Sequence, residues 1–394
     1  MKALVYGLAR SGQAVARRLN ERGDDVVLVD RTLGNELELD LLDGVDVLVK
    51  SPGVPGERPL VTIARERGIP VHSEVEVAWR LLPDHTRLVG VTGTNGKTTT
   101  TELLGAIFRA AGRDVAVAGN VGTPLASVRT ADWVVCELSS FQLEDVQTLA
   151  CDVAVLLNLE PDHLDRHGSF EAYRNAKLRI FERSRVQVVP RGLDLTGVEF
   201  SADDDLPAEP LLRGAHNREN AAAATAAARA TGVADEHIAE ALRTFRGVPH
   251  RLEDVAERRG VRYVNDSKAT NVAATLRALA AYSDEPLHLI LGGSSKGEDF
   301  TPLVEAIGVN VRPVHFIGEE AERMMEVIDG HVDGTLERAV AHAARLAHPG
   351  EVVLLSPACA SYDQFENFER RGDAFRRLVA GLDPGRASDA VPSE

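Results

Sequence analysis

Leu88-Val89-Gly90-Val91-Thr92-Gly93-Thr94-Asn95-Gly96-Lys97-Thr98-Thr99-Thr100-Thr101 is the stretch on which the fold turns. An apolar, β-branched run ends at Thr92. Two glycines then frame Thr94 and Asn95, and a lysine, four threonines and a helix-like segment over Glu102–Ala111 follow. Strand, glycine loop, lysine, hydroxyl and helix together can cradle phosphate. Backbone N–H groups line such a loop, the helix N-terminus adds positive potential, the lysine meets the outer phosphates and a hydroxyl holds Mg2+. Val91 stands where the strict pattern wants its first glycine, so an ordinary glycine turn is the competing reading.

The chain around this loop has 394 residues, 44% of them apolar, which is ample for several packed cores. No stretch approaches the ~20 apolar residues of a membrane span. The first residues, Met1-Lys2-Ala3-Leu4-Val5-Tyr6-Gly7, start directly with a strand, so no signal peptide is expected. Cys136, Cys151 and Cys359 sit in apolar runs without metal-like spacing and read as core thiols of a cytoplasmic protein. A net charge of −16 argues against nucleic acid as a partner. Lysine occurs only six times, at 2, 50, 97, 177, 268 and 296, against 38 arginines. The lysines are therefore candidates for work arginine cannot do, such as point-charge phosphate contact or amine chemistry. Chance retention is expected for Lys2 and Lys50.

Strand and helix patterns alternate along the chain, which predicts an α/β protein of three domains. Residues 1–86 form a small Rossmann-like domain with strands at 2–6, 25–30, 46–50 and 69–72 and helices at 11–22 and 60–67. Gly7-Leu8-Ala9-Arg10-Ser11-Gly12 occupies the dinucleotide-fingerprint position, but Ala9 replaces the middle glycine. A redox cofactor, a single diphosphate such as that of a nucleotide sugar, or no ligand are all compatible with it. Ser51-Pro52-Gly53 could form a second wall. Pro83–Thr86 reads as a linker. Residues 87–247 form a central P-loop mononucleotide-binding domain with further strands at 133–136, 153–159 and 186–189 and an alanine-rich helix at 217–230. Gly247–His250 reads as a hinge. Residues 248–384 form a C-terminal Rossmann-like domain with strands at 261–264, 288–291, 314–317 and 352–355, and residues 385–394 read as a disordered tail.

Polar residues beyond the carboxyl ends of parallel strands lie on the edge where α/β sheets bind ligands. Glu137 ends a strand about forty residues after the phosphate loop and faces its hydroxyl, which suits a Mg2+ ligand; a capping or solvated glutamate is the alternative. His163 lies in an Asp-His-Leu-Asp turn and is undecided between a surface role and a site role. Ser169 caps a helix on which Phe170, Tyr173, Lys177, Ile180 and Phe181 share one face. Taken alone, Lys177 is expected to snorkel to solvent. Burial would instead lower its pKa, and a neutral amine can add carbon dioxide to become an anionic carbamate. Asn265-Asp266-Ser267-Lys268-Ala269-Thr270-Asn271 opens a helix with donors, a carboxylate and a rare lysine, and plain capping is the alternative. Gly292–Gly297, with Lys296, and Ser356–Phe365 are further polar loops on the same edge.

These segments, with Gly119-Asn120-Val121-Gly122, Glu137–Glu144, Asp162–Asp165, Ala176-Lys177, His216–Asn220 and His250–Glu253, resemble the Mur ligase family, in order and across all three domains. The resemblance implies an ATP-dependent ligase of peptidoglycan precursor synthesis. ATP would phosphorylate the carboxylate of UDP-N-acetylmuramoyl-L-alanine, and the amine of D-glutamate would attack the acyl phosphate. The segment 265–271 points to D-glutamate as the amino acid. The resemblance also implies two Mg2+ ions, one held by Thr98 and Glu137 and the other by His163 and carbamylated Lys177, which reverses the expectation for Lys177 alone. Lys97, Glu137, His163 and Lys177 become the catalytic set. Gly93, Thr94, Asn95, Gly96, Lys97, Thr98, Thr99, Asn220, Arg251 and Asp266 are the implied ATP contacts. Lys268, Thr270, Lys296, Ser361 and Phe368 are the implied D-glutamate site. Arg10, Ser11, Asp30, Arg31, Ser51, Pro52, Gly53, Asn120 and Gln142 are the implied uridine-nucleotide site. A monomer without membrane insertion is expected, and domains closing on one another would keep water from the acyl phosphate. A nucleotide-controlled switch protein is the rival from another class.

Overall fold

The computed structural model describes residues 1–212, 214–295 and 297–382, apart from the side chains of Asp165 and Arg312. Lys296 and the tail at 385–394 therefore lie outside the described residues. The protein is mixed α/β, and the described strands form three sheets. In the first, β1 (Lys2–Tyr6), β2 (Asp25–Val29), β3 (Val47–Lys50) and β4 (Val71–Ser73) lie in the order β2-β1-β3-β4, all parallel. The second contains β5 (Arg87–Thr92), β6 (Val115–Gly119), β7 (Trp133–Glu137), β8 (Cys151–Leu156), β9 (Ser184–Pro190) and β10 (Val198–Phe200), in the order β10-β9-β8-β5-β7-β6. The third contains β11 (Glu253–Arg258), β12 (Val261–Asn265), β13 (Leu287–Gly292), β14 (Val311–Ile317), β15 (His331–Gly334) and β16 (Val352–Leu355), in the order β11-β12-β16-β13-β14-β15, with only the β11–β12 pair antiparallel.

Burial on both faces explains the near-continuous apolar strands. Val89, Val91, Val134, Val135, Val153 and Val155 are each 0–1% exposed. Strand order reverses beside β5, whose neighbours are β8 and β7, so the glycine loop leaves the sheet where the crevice between crossovers opens. In the first sheet the corresponding point lies between β1 and β3. There Gly12 packs so closely that a Cβ would come within 1.8 Å of the Gly7 carbonyl, a position only glycine can fill.

The chain divides into two compact units, Met1–Phe245 and a second from Arg246 onward. The first unit holds two sheets because a helix absent from the sequence reading, Glu74–Arg80, lies between them. Its Val75 and Ala78 join one apolar cluster that runs from Val5 and Leu19 to Leu88 and Val134. Glu76, wholly buried on the same helix, accepts from the N–H groups of Gln147, Thr148 and Leu149, from the Thr148 hydroxyl and from Arg80. Burial alone would push this carboxyl up; the hydrogen bonds outweigh it and hold it below the ordinary range. Lys50 corrects the expectation of chance retention. It is 1% exposed and pairs with Asp145 at 2.7 Å and Glu144 at 3.2 Å, so it ties the end of β3 to the segment that leads into β8.

All three cysteines are free and buried, as expected, and burial pushes the thiols of Cys151 and Cys359 up to about 12. Among the described residues, no helix is long and apolar enough to cross a membrane.

Both tryptophans, Trp79 and Trp133, lie in the first unit, so their fluorescence follows its unfolding. Glu76→Ala strands the three backbone donors and is expected to destabilise that unit by roughly 3 kcal/mol near neutral pH. Because the folded-state pKa lies below the ordinary 4.5, the advantage of wild type is present above 4.5 and lost as pH falls through the folded value. Urea unfolding at a series of pH values checks both the size and the direction.

Candidate active site

The loop after β5 is held from several sides. Gly93 adopts φ +154° and packs so that a Cβ would lie 2.9 Å from that of Leu157. The Thr94 N–H donates to the Asn158 carbonyl, the Asn95 N–H donates to Asn158 Oδ1 at 2.8 Å, and the Thr94 hydroxyl meets the Tyr173 hydroxyl at 2.9 Å. Gly96, at φ +81°, is the N-cap of the helix Lys97–Ala110, and a Cβ there would strike Asn220 Oδ1 at 2.1 Å. The helix thus begins at Lys97, one turn before the sequence pattern places it. Its first-turn N–H groups have no intrahelical acceptors, and no acidic residue occupies that turn, so the helix end is suited to an anion.

Two amines converge on this loop. Lys97 Nζ donates to the carbonyls of Gly93 and Thr94, each at 2.9 Å, and Lys177 Nζ donates to the same Gly93 carbonyl at 2.7 Å. Lys177 is 2% exposed and lies over the Tyr173 ring. It does not snorkel. The helix Phe170–Leu178, capped by Ser169, packs its Tyr173–Lys177 face into the unit. Burial, and after it the charge of Lys97, lower the Lys177 pKa to about 7; Asp162 and Glu137 oppose this. Lys177 is therefore an amine with a substantial neutral fraction at physiological pH.

Glu137, 2% exposed, ends β7 in register with Val91, and its Oε1 accepts from Asn120 Nδ2 at 3.3 Å. Thr98 is half-buried in the first turn of the helix and Thr99 is buried. His163 takes φ 52° and leaves its side chain half exposed, 3.5 Å from Asp162. Its neighbour His167 was not singled out from the sequence. It is buried between Glu144, the Ser140 hydroxyl and the ring of Phe141, and burial lowers its pKa. The buried Glu137 carboxylate and the Thr98 hydroxyl beside the phosphate loop are oxygen donors of the kind that fits Mg2+, and Lys177 would join them only as a carbamate, through an anionic oxygen.

The residues assigned to a uridine nucleotide divide into two kinds. Arg10, Arg31 and Gly53 are exposed, and Ser11 and Pro52 are half-buried. Asp30, Ser51 and Gln142 are engaged within the chain. Asp30 accepts from the Leu8 and Thr32 N–H groups, which hold its carboxyl below the ordinary range. The Ser51 hydroxyl donates to Gly7, and Gln142 caps Ser139 while donating to buried Glu74, whose carboxyl burial pushes up to about 7.

In the second unit a buried arginine organises the polar loops. Arg371, 0% exposed, donates to Ser267 Oγ and to the carbonyls of Ser267, Cys359 and Ala360, so it joins the segment 265–271 to the loop after β16. Ser361 is buried beside this network, Lys268 Nζ lies 5.7 Å from the ring centre of Phe368, and Thr270 is half-buried. Asp266 is raised to about 7 by burial, despite a bond from the Ser356 hydroxyl at 2.8 Å and the charge of Arg251. Arg251 sits between His250 at φ 64° and Leu252 at φ 42°. Of the five described non-glycine residues at positive φ, His163, His250, Leu252 and Ala358 fall in segments singled out above; backbone strain of this kind concentrates at functional sites.

Comparison with known proteins gives the family. Residues 91–194 match the family described as Mur ligase middle domain, and residues 250–359 match the Mur ligase glutamate ligase domain. The protein named UDP-N-acetylmuramoylalanine--D-glutamate ligase from Acidobacterium capsulatum is 41% identical, over 96% of each chain. The chain belongs to the Mur ligase family. A relative of the same name from Myxococcus xanthus is also 41% identical, over 97% of this chain and 98% of its own. Among solved structures, this Mur ligase shares its fold with the UDP-N-acetylmuramate-alanine ligase of Thermotoga maritima. The TM-score is 0.64 at 18% identity, over 97% of this chain and 100% of that one. The MurF ligase of Thermotoga maritima, solved in complex with ADP, gives a TM-score of 0.60 at 19% identity, over 88% of this chain and 92% of that one.

The state of Lys177 can be read from stability. Its pKa is depressed in the folded chain, so between about 7 and the ordinary 10.5 the unfolded chain binds a proton that the folded chain lacks. Stability conferred by the neutral amine is present above 10.5 and lost as pH falls toward 7. In carbon-dioxide-free buffer, wild type is expected to gain stability over Lys177→Met as pH rises from 7 to 10, followed by tryptophan fluorescence. Parallel profiles would mean that the amine keeps its proton when folded.

Proposed function

We infer that this Mur ligase joins D-glutamate to UDP-N-acetylmuramoyl-L-alanine at the expense of ATP, in peptidoglycan precursor synthesis. The observation that carries this inference is full-length identity of 41% to relatives named as D-glutamate ligases. The fold is shared with proteins named for other acceptors, so the choice of D-glutamate rests on those relatives and on the segment 265–271. We further propose three domains, at 1–86, 87–247 and 248–384, the outer two Rossmann-like and the central one a P-loop domain; three sheets support this division.

A carboxylate is a poor electrophile, and its charge repels the ATP tail. In this account the loop 93–96 and the N-terminus of the helix Lys97–Ala110 bind the phosphates. Lys97 shifts from the Gly93 and Thr94 carbonyls to the γ-phosphate, where it offsets charge during transfer. Thr94, Asn95, Thr98, Thr99 and Asn220 complete the ATP contacts around this loop, and the family resemblance adds Arg251 and Asp266 to the ATP-binding set. The substrate carboxylate takes the phosphoryl group and ADP leaves. The neutral amine of D-glutamate, held by Lys268, Thr270, Ser361, Phe368 and Lys296, then attacks the acyl carbon; the amide forms and phosphate departs. Arg10, Ser11, Asp30, Arg31, Ser51, Pro52, Gly53, Asn120 and Gln142 would meet the uridine-nucleotide substrate.

Two Mg2+ ions would be held by Thr98 and Glu137 and by His163 and carbamylated Lys177, and when bound they neutralise phosphate charge. The fit rests on Lys177: its buried amine, with pKa about 7, gives up one proton to become neutral, and the neutral amine adds carbon dioxide with loss of a second proton, which leaves an anionic oxygen ligand. A cytoplasmic monomer is the form in which we expect the enzyme to work.

Phosphate release with ATP, Mg2+ and UDP-N-acetylmuramoyl-L-alanine is expected to require D-glutamate and not L-glutamate. Equal release without any amino acid would favour a nucleotide switch instead. Lys97→Ala is expected to lower kcat by roughly 100-fold or more. Lys177→Ala should lose most activity and recover part of it with short carboxylic acids, whereas near-normal turnover would remove Lys177 from the metal site.

A further inference from the structure

Four of the twelve histidines, three on strands of the third sheet and His342 on the helix Leu336–Leu346 beside it, form a run of neighbouring rings apart from every residue given a role above. Ring centres of His288 and His315 are 6.0 Å apart, those of His315 and His342 5.0 Å, and those of His331 and His342 4.8 Å. Asp333 joins two of them: its Oδ2 is 2.7 Å from His315 Nδ1 and its Oδ1 is 2.8 Å from His342 Nδ1. The β14–β15 ladder shifts register here, pairing Phe316 with Val332 but Ile317 with Gly334, so Asp333 is the extra residue of a bulge. Bulges re-aim side chains and cluster at sheet edges and functional sites. β15 is the edge strand.

His315 is 0% exposed, and among the described residues its Nε2 has no hydrogen-bond partner. A buried polar atom left in this way requires an explanation. Ligand atoms of His315, Asp333 and His342 all lie within 4.8 Å of one another. Two imidazoles and one carboxylate suit Zn2+-class ions, whereas Mg2+ prefers an all-oxygen shell.

We propose that His315, Asp333 and His342 hold one divalent transition-metal ion of the Zn2+ class, with half-open access beside exposed His331. The site joins β14, β15 and the helix Leu336–Leu346, and Gly334, next to Asp333, accepts from Gln364 of the loop after β16. The ion is thus a staple for the sheet edge that carries this loop, independent of nucleotide chemistry.

The full chain, stripped with chelator and kept in excess Mg2+ to fill oxygen-donor sites, is titrated with Zn2+ by calorimetry and with Co2+ by visible absorption. One Zn2+ per chain, a Co2+ ligand-field band and a rise in melting temperature of the second unit are expected. His342→Ala and Asp333→Asn should each weaken binding by on the order of 100-fold. Asp333→Asn preserves the side-chain shape, so a folding defect in the alanine variant leaves the second variant decisive. Failure of wild type to bind, or binding undiminished in Asp333→Asn, would overturn the site.

Discussion

One carbonyl carries two lysines. Gly93 O accepts from both Lys97 and Lys177, at 2.9 and 2.7 Å, in a place where Lys177 has almost no water around it. Burial of the Lys177 amine, and after it repulsion from Lys97 on the same acceptor, lowers its pKa to about 7, so the more buried amine readily gives up its proton. Much around it follows from that constraint. Gly93 must be glycine because a Cβ there would lie 2.9 Å from that of Leu157, Tyr173 must present its ring beneath the amine, and the helix Phe170–Leu178 must hold its lysine face inward. In return the loop gains an unusual pair: Lys97 at the helix start and, behind it, Lys177 as an amine that readily loses its proton.

The second unit is organised on a comparable principle with the roles exchanged. Its central cation, Arg371, is satisfied almost wholly by carbonyls and a hydroxyl, so it serves as scaffold for the segment 265–271 and the loop after β16. Beside it Asp266 is a buried carboxyl lifted to about 7. Both units therefore place a titratable group with a near-neutral pKa behind a strained loop, and strain at His163, His250, Leu252 and Ala358 marks those loops.

The sheet strands were legible in the sequence wherever burial on both faces made them continuously apolar, as in Val134–Cys136 or Val352–Leu355. The phosphate loop was legible because glycine, lysine and hydroxyl spacing has a local physical meaning. The helix Glu74–Arg80 was not, since its carboxylates Glu74 and Glu76 look like solvent-facing residues; they are buried because partners some seventy residues away in sequence satisfy them. Arg371 was equally silent, one arginine in an arginine-rich chain, distinguished only by tertiary partners. Lys177 could be read either way until its helix was seen to pack inward. The bulge that turns Asp333 toward two histidines leaves no trace in composition or periodicity.

The central claim is that the Gly93–Lys97 loop delivers a phosphoryl group to a carboxylate, and isotope transfer tests it most directly. UDP-N-acetylmuramoyl-L-alanine labelled with oxygen-18 in its carboxylate is turned over with ATP and D-glutamate, and the released phosphate is weighed by mass spectrometry. Passage through an acyl phosphate places one labelled oxygen in each phosphate, because the carboxylate oxygen leaves on phosphorus. Unlabelled phosphate, with the label kept in the uridine-linked product or lost to water, would contradict the account.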